Sequence, residues 1–269
     1  MNLSSFDDQN LPQDSKDTHR RNLKLILAYD GAEFSGWQVQ PDKNTVQGTL
    51  ALAIGRITSE KVLPQASGRT DAGVHALAQV VTFVTESSIP TGNFVKALND
   101  LLPRSVRVLE VSEVPDGFQA RHSAKMKTYR YRICRRAICP PFLARYVWHY
   151  PYPLDEDPMM RAAELVIGEK DFTSFAAVDP ERGRERGPVS NVRKIFSSSW
   201  ARDGEELVYE VCGSGFLHHM VRNLVGTFIL VGRKTLQVDD ITRIIEARNR
   251  SAAGATAPPE GLYLVSVEY

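Results

Sequence analysis

Long apolar runs are missing from this sequence. The longest, LVGTFILVG at 224–232, falls far short of the roughly 18 residues that a membrane-spanning helix needs. An apolar leader is missing too. The opening stretch, MNLSSFDDQNLPQDSKDTHRRN, is polar and acidic with no apolar h-region, which argues against a secretory signal and predicts a disordered tail over 1–21. Cysteine is scarce: Cys134, Cys139 and Cys212 form no C-x-x-C pair. Neither a disulfide framework nor a zinc site is expected from so few, and a reduced cytoplasmic protein is the simple expectation. Neither G-x-x-x-x-G-K-[ST] nor a post-strand G-x-G-x-x-G occurs, and G-x-S-x-G and H-E-x-x-H are absent as well. These gaps argue against a nucleotide cofactor, a serine-hydrolase elbow and a metalloprotease.

Acidic residues are absent between Phe118 and Leu154, where Arg121, Lys125, Lys127, Arg130, Arg132, Arg135, Arg136 and Arg145 all fall. Arg182, Arg184, Arg186, Arg193 and Lys194 form a second, mixed but mostly basic stretch. Net charge is only +1, so the cations are localised rather than abundant. Such a surface suits a phosphate backbone, or is simply a solvated charged face.

What is present is enough apolar content, 42% of 269 residues, to build a sizeable core. Hydrophobic periodicity predicts a strand at 23–31, a helix at 45–57 and a short edge strand at 61–66, limited by Pro64. A strand at 79–86, a helix at 93–102 and a strand at 106–114 complete a β-α-β-β-α-β order. The second half repeats that order without repeating the letters. It offers a strand at 127–135, a helix at 157–167 and a hairpin of 192–202 with 206–214 around Asp203-Gly204. Helices at 216–232 and 238–248 and a strand at 261–269 follow. The expected fold class is α+β, with two ferredoxin-like units, 22–120 and 121–269. Together they would form a mixed, mainly antiparallel sheet with helices packed on it and a central cleft, a usual place for a ligand.

Three stretches hold residues suited to chemistry. SGRTDAGVHA at 67–76 sets Asp71 between Arg69 and His75, with glycines at 68 and 73. Either this is a loop shaped to present a carboxylate, or Asp71 caps its own backbone in an Asx turn. In KTYRYRI at 127–133, Tyr129 and Tyr131 share one strand face and Arg130 and Arg132 the other. The tyrosines would stack on bases or pack in the core, while the arginines would meet phosphates. In GSGFLHHMVRNLVG at 213–226, His218 and His219 would point apart on a helix and make a poor metal pair. His218 and Arg222, four apart, would share a face. A cation on so apolar a helix needs an acid, Asp71 being one candidate, unless its head reaches solvent.

These blocks resemble the TruA family of tRNA pseudouridine synthases. DFTSF at 171–175, AYDGAEFSGWQVQPDKNTVQGTL at 28–50, AAGATAPPEGLYL at 252–264 and the final GLYLVSVEY add to the likeness, which runs from about Leu23 to Tyr269. The resemblance implies that Asp71 is the catalytic aspartate and that Tyr129 contacts the target nucleotide. It likewise implies that Arg69 helps hold the flipped-out nucleotide and that Arg222 pairs with Asp71. It implies an isomerase acting on tRNA uridines at positions thirty-eight to forty of the anticodon stem-loop, working as a homodimer without metal or cofactor. Two rivals stay open: a non-catalytic RNA-binding protein on ferredoxin-like sheets, and a pseudouridine synthase acting on another RNA.

Overall fold

The computed structural model describes residues 20–178 and 190–269. Most of the expected tail over 1–21 lies outside them, as do Arg182, Arg184 and Arg186. Arg21, assigned above to the tail, opens the first strand.

The first half runs β1 (Arg21–Tyr29), α1 (Val46–Thr58), β2 (Gln65–Ala66), β3 (His75–Thr85), α2 (Thr91–Leu101) and β4 (Val106–Val114). The second runs β5 (Met126–Cys134), β6 (Trp148–His149), α3 (Glu156–Glu164), β7 (Gly168–Asp171), β8 (Val192–Asp203), β9 (Glu206–Gly213), α4 (Met220–Gly232), α5 (Asp240–Ala247) and β10 (Leu262–Glu268). Periodicity did not reveal β6 and β7, because two and four residues are too few for alternation to register.

All ten strands join one sheet in the order β4-β1-β3-β10-β5-β9-β8-β7, with β2 on β3 and β6 on β5. Its first half reads β4-β1-β3-β2 and its second β10-β5-β9-β8. Each places the last, first, third and second strands of a β-α-β-β-α-β unit side by side, as the ferredoxin-like expectation requires. Two pairings are parallel, β5 with β6 and β10 with β3; the others are antiparallel. The β10–β3 ladder, with Tyr263 opposite His75 and Leu264 opposite Ala76, fuses the halves into one sheet.

Strand alternation decides the faces. Leu23, Leu25 and Leu27 of β1, Tyr129, Tyr131 and Ile133 of β5, and Leu207, Tyr209 and Val211 of β9 are buried. Across the buried side of the sheet, α2 is tied to β4 through Asn99, whose amide donates to the Val108 carbonyl and accepts from the Val108 N–H. The opposite side of β5 corrects an expectation. Arg130 sits directly across from Glu210 in the β5–β9 register and pairs with it at 2.9 Å. Arg132 pairs with Glu206 at 2.7 Å. Cross-strand carboxylates therefore neutralise the two arginines that the sequence seemed to offer to phosphates.

The helix expected at 216–232 begins only at Met220, because His219 takes the left-handed conformation with φ 58°. A segment crossing α4 explains two of its features. A Cβ on Gly226 would stand 1.8 Å from the Ala255 carbonyl oxygen, so only glycine admits this crossing. The same segment donates Gly254 N–H to Thr227 Oγ1 at 2.9 Å and Ala257 N–H to the Arg222 carbonyl at 3.1 Å. Arg222 is thus fixed at its backbone before its side chain is considered.

Candidate active site

The loop between β2 and β3 carries SGRTDAGV, and its backbone is pinned on both sides. Ser67 N–H donates to Val80 O at 2.8 Å, and Trp37 N–H donates to Thr70 O at 3.0 Å. Gly73 sits at φ 79°, a conformation that L side chains rarely adopt. Beneath the loop lies Gln79, fully buried on β3. It accepts from Ser67 Oγ at 2.7 Å and donates to Gly68 O at 2.8 Å and to the Tyr29 hydroxyl at 3.4 Å. The Tyr29 hydroxyl in turn meets Thr70 Oγ1 at 2.8 Å. Burial pushes the Tyr29 phenol up to about 12, so it stays neutral here. A buried network satisfied in this way rigidifies the backbone above it.

Asp71 stands at the crest, its side chain 20% exposed and 12% for Arg222. Arg222 Nη1 donates to Asp71 Oδ2 at 2.7 Å, and Arg222 Nε donates to Ala257 O at 2.7 Å. The Asx-turn alternative therefore gives way to an ion pair across the two halves of the sheet. His219 Nε2 lies 3.3 Å from Asp71 Oδ2, and His218 Nε2 lies 3.7 Å from Oδ1. Both histidines precede α4, so the expectation that adjacent rings point apart on a helix fails. Their centroids are 4.0 Å apart and both face one carboxylate. Burial is the main cause holding His219 below the usual histidine range.

These residues border a cleft of about 670 Å³, lined among others by Arg69, Asp71, Lys127, Tyr129, Phe216 and His218. All four residues singled out in the sequence converge here: Arg69, Asp71 and Tyr129 line the cleft, and Arg222 holds Asp71. Arg69 is exposed at the rim. Tyr129 is buried and meets Phe216 edge-on at 5.0 Å. Burial, with Tyr29 and Asp71 adding to it, drives its phenol far above the ordinary tyrosine range. It stays a neutral hydroxyl.

Sequence reasoning did not single out Lys127, although it lies two residues before Tyr129 on the same strand face. Its Nζ donates to Ser67 O at 2.5 Å. Burial, with Arg121 and Arg193 acting in the same direction, lowers it to about 8. His75 is turned away from Asp71. Gly31 N–H donates to its Nδ1 at 3.1 Å, its Nε2 faces Arg145 O at 3.2 Å, and its ring stacks on Tyr263 at 4.8 Å. With Nδ1 accepting, the proton sits on Nε2, and burial keeps the ring neutral by lowering its pKa. His75 braces the β10–β3 seam.

A carboxylate clasped by a guanidinium, beside a protonated phenol in a cation-rimmed cleft, suits attack on an electron-poor sugar carbon. Comparison with known proteins gives the family. The tRNA pseudouridine synthase family profile matches residues 25–123 and 162–269. Arg69, Asp71 and Arg222 fall inside those blocks and Tyr129 between them. A tRNA pseudouridine synthase A of Solibacter usitatus (strain Ellin6076) is 49% identical over 249 residues, covering 93% of this chain and 100% of that protein. The protein of the same name from Moorella thermoacetica (strain ATCC 39073 / JCM 9320) is 45% identical over 250 residues, covering 92% and 99%. That from Caldicellulosiruptor bescii (strain ATCC BAA-1888 / DSM 6725 / KCTC 15123 / Z-1320) is 43% identical over 249 residues, covering 93% and 100%. With carboxylate, guanidinium and cleft in place and relatives matching along nearly their full length, the chain belongs to the tRNA pseudouridine synthase family.

Proposed function

We propose that this isomerase converts uridine to pseudouridine at positions thirty-eight, thirty-nine and forty of the tRNA anticodon stem-loop, with Asp71 as the nucleophile. The observation that carries the assignment is the 2.7 Å contact between Arg222 and Asp71 at the edge of the cleft. The reaction breaks the C1′–N1 bond, turns the uracil and joins C1′ to C5, while the C5 proton is exchanged for one on N1. Atoms and electrons balance within the nucleotide, so no redox partner or triphosphate is consumed. The target base is stacked in a stem and must first be extruded, at a cost of a few kcal/mol. Tyr129 and Phe216 supply an aromatic wall for the extruded base, and Arg69 at the rim holds its backbone. Arg222 orients the Asp71 carboxylate so that no rearrangement is needed when the sugar carbon arrives.

The wider proposal is a homodimer working in the cytoplasm, where tRNA is processed. The family resemblance supports the homodimer. The repeated strand order supports two units at 22–120 and 121–269. The test is tritium release from tRNA labelled at uridine C5, followed by mapping of the modified positions. Release with pseudouridine at those three positions is expected. RNA binding without release would favour the non-catalytic rival, and modification of another RNA in place of tRNA would favour the second.

A further inference from the structure

We infer that Asp71, His218 and His219 form a binding site for one transition cation of the zinc class, whose occupancy takes Asp71 out of catalysis. Among the described residues, these three donors lie within 4.8 Å of one another, and none is fully buried. Imidazole nitrogen with carboxylate oxygen is a zinc-type donor set, and three protein ligands leave a fourth position open to water.

The tautomer of His218 favours the site. Its Nδ1 lies 3.0 Å from the Val178 carbonyl, which only accepts, so Nδ1 carries the proton and donates. The other ring nitrogen, Nε2, faces Asp71 Oδ1 at 3.7 Å. Metal-binding histidines commonly donate their second ring N–H to a carbonyl in this way. His219 brings a second imidazole nitrogen to the same carboxylate, because its φ of 58° places it outside the helix.

Geometry is compatible with occupancy. Around tetrahedral zinc, with bonds of about 2.0–2.1 Å, donors stand roughly 3.4 Å apart, so a group within 4.8 Å needs to contract by about 1.4 Å at most. Arg222 and His219 both face Oδ2 while His218 faces Oδ1, so a cation between the imidazoles would take the carboxylate on its Oδ1 side and keep the guanidinium as an outer hydrogen-bond donor. A cation there occupies the oxygen nearest His218 and stands where the sugar must approach.

The experiment uses the full chain without a polyhistidine tag, titrated with Co²⁺ and followed by visible absorption. One equivalent is expected to give a tetrahedral d–d band that Zn²⁺ displaces, with affinity reduced at least tenfold in His218→Gln and in His219→Gln. His122→Gln and His149→Gln are expected to bind as the parent does. Thermal melts establish that every variant is folded. No band in the parent protein overturns the inference, as does unchanged affinity in the first two variants. In a tritium-release assay, Zn²⁺ is expected to inhibit over the same concentration range and EDTA to reverse it. Cobalt binding is read without tRNA, so its failure and failure of the proposed reaction are distinguishable.

Discussion

Asp71 and Arg222 are separated by 151 residues of chain and by the seam of the sheet, yet Arg222 Nη1 donates to Asp71 Oδ2 at 2.7 Å. One partner rides on a rigid loop above Gln79 and the other on a helix strapped by Ala257. Neither half of the sheet holds the pair alone. Asp71→Asn keeps the shape and the hydrogen bond but removes the anion. Turnover is expected to fall at least about a thousandfold, about 4 kcal/mol in activation free energy. Circular dichroism and tRNA affinity should stay close to the parent's. Normal tritium release by this variant refutes the nucleophile assignment.

Arg222 has two tasks that different substitutions separate. Arg222→Met loses both the bond to Asp71 and the bond to Ala257, and should cost about 2–3 kcal/mol of stability along with most of the activity. Arg222→Lys keeps the charge but not the planar fork. Stability should then recover further than turnover does, as denaturant titration and single-turnover kinetics will reveal.

Tyr129→Phe removes one hydroxyl from the cleft and leaves the ring against Phe216. A rate loss of about 10–100-fold is expected with tRNA affinity within about twofold, because positioning rather than stacking is lost. Wild-type turnover would show that Tyr129 only packs.

Gln79→Leu strips the Asp71 loop of its support. The Ser67 hydroxyl and the Gly68 carbonyl lose their partner, at about 1–3 kcal/mol for each buried group left unsatisfied. Unfolding should show a loss of about 2–4 kcal/mol. Turnover should fall about a hundredfold although Gln79 touches no substrate, since a displacement of about 1 Å is enough for that. Unchanged kinetics in the folded variant would remove the network from any role in aiming Asp71.

Lys127 gives the cleft a pH dependence on the alkaline side. With its ammonium lowered to about 8, the cation is lost as pH rises through that value, and tRNA affinity should weaken over the same range. Lys127→Met should bind more weakly at neutral pH and lose this dependence. The effect on folding has the opposite sign. Between about 8 and the ordinary lysine value near 10.4 the unfolded chain holds more protons than the folded one, so stability rises with pH. An affinity that does not change from pH 7 to 9 would place Lys127 outside the tRNA contact.

Local pattern made most of this legible. Alternation and helical spacing placed nine of the longer elements to within two residues at both ends, and the repeated order foretold the strand arrangement of both halves. The cost of leaving a cation unpaired on an apolar helix made Asp71 one candidate partner for Arg222, and the family resemblance implied the pairing. What escaped was set by geometry that letters do not carry. His219 reads as helix until its positive φ is seen, and with it the direction of both imidazoles. Arg130 and Arg132 read as phosphate contacts until register sets Glu210 and Glu206 beside them. Gln79 reads as an ordinary polar residue on a strand, and Lys127 as one cation among many. Their importance comes from what lies above them in space.

The seam strand has a consequence for how the two halves stay aligned. Because β10 pairs with β3 on one side and with β5 on the other, it is the common rail on which both halves are registered. A substitution that slips this rail would part the carboxylate from the guanidinium while leaving both residues unchanged.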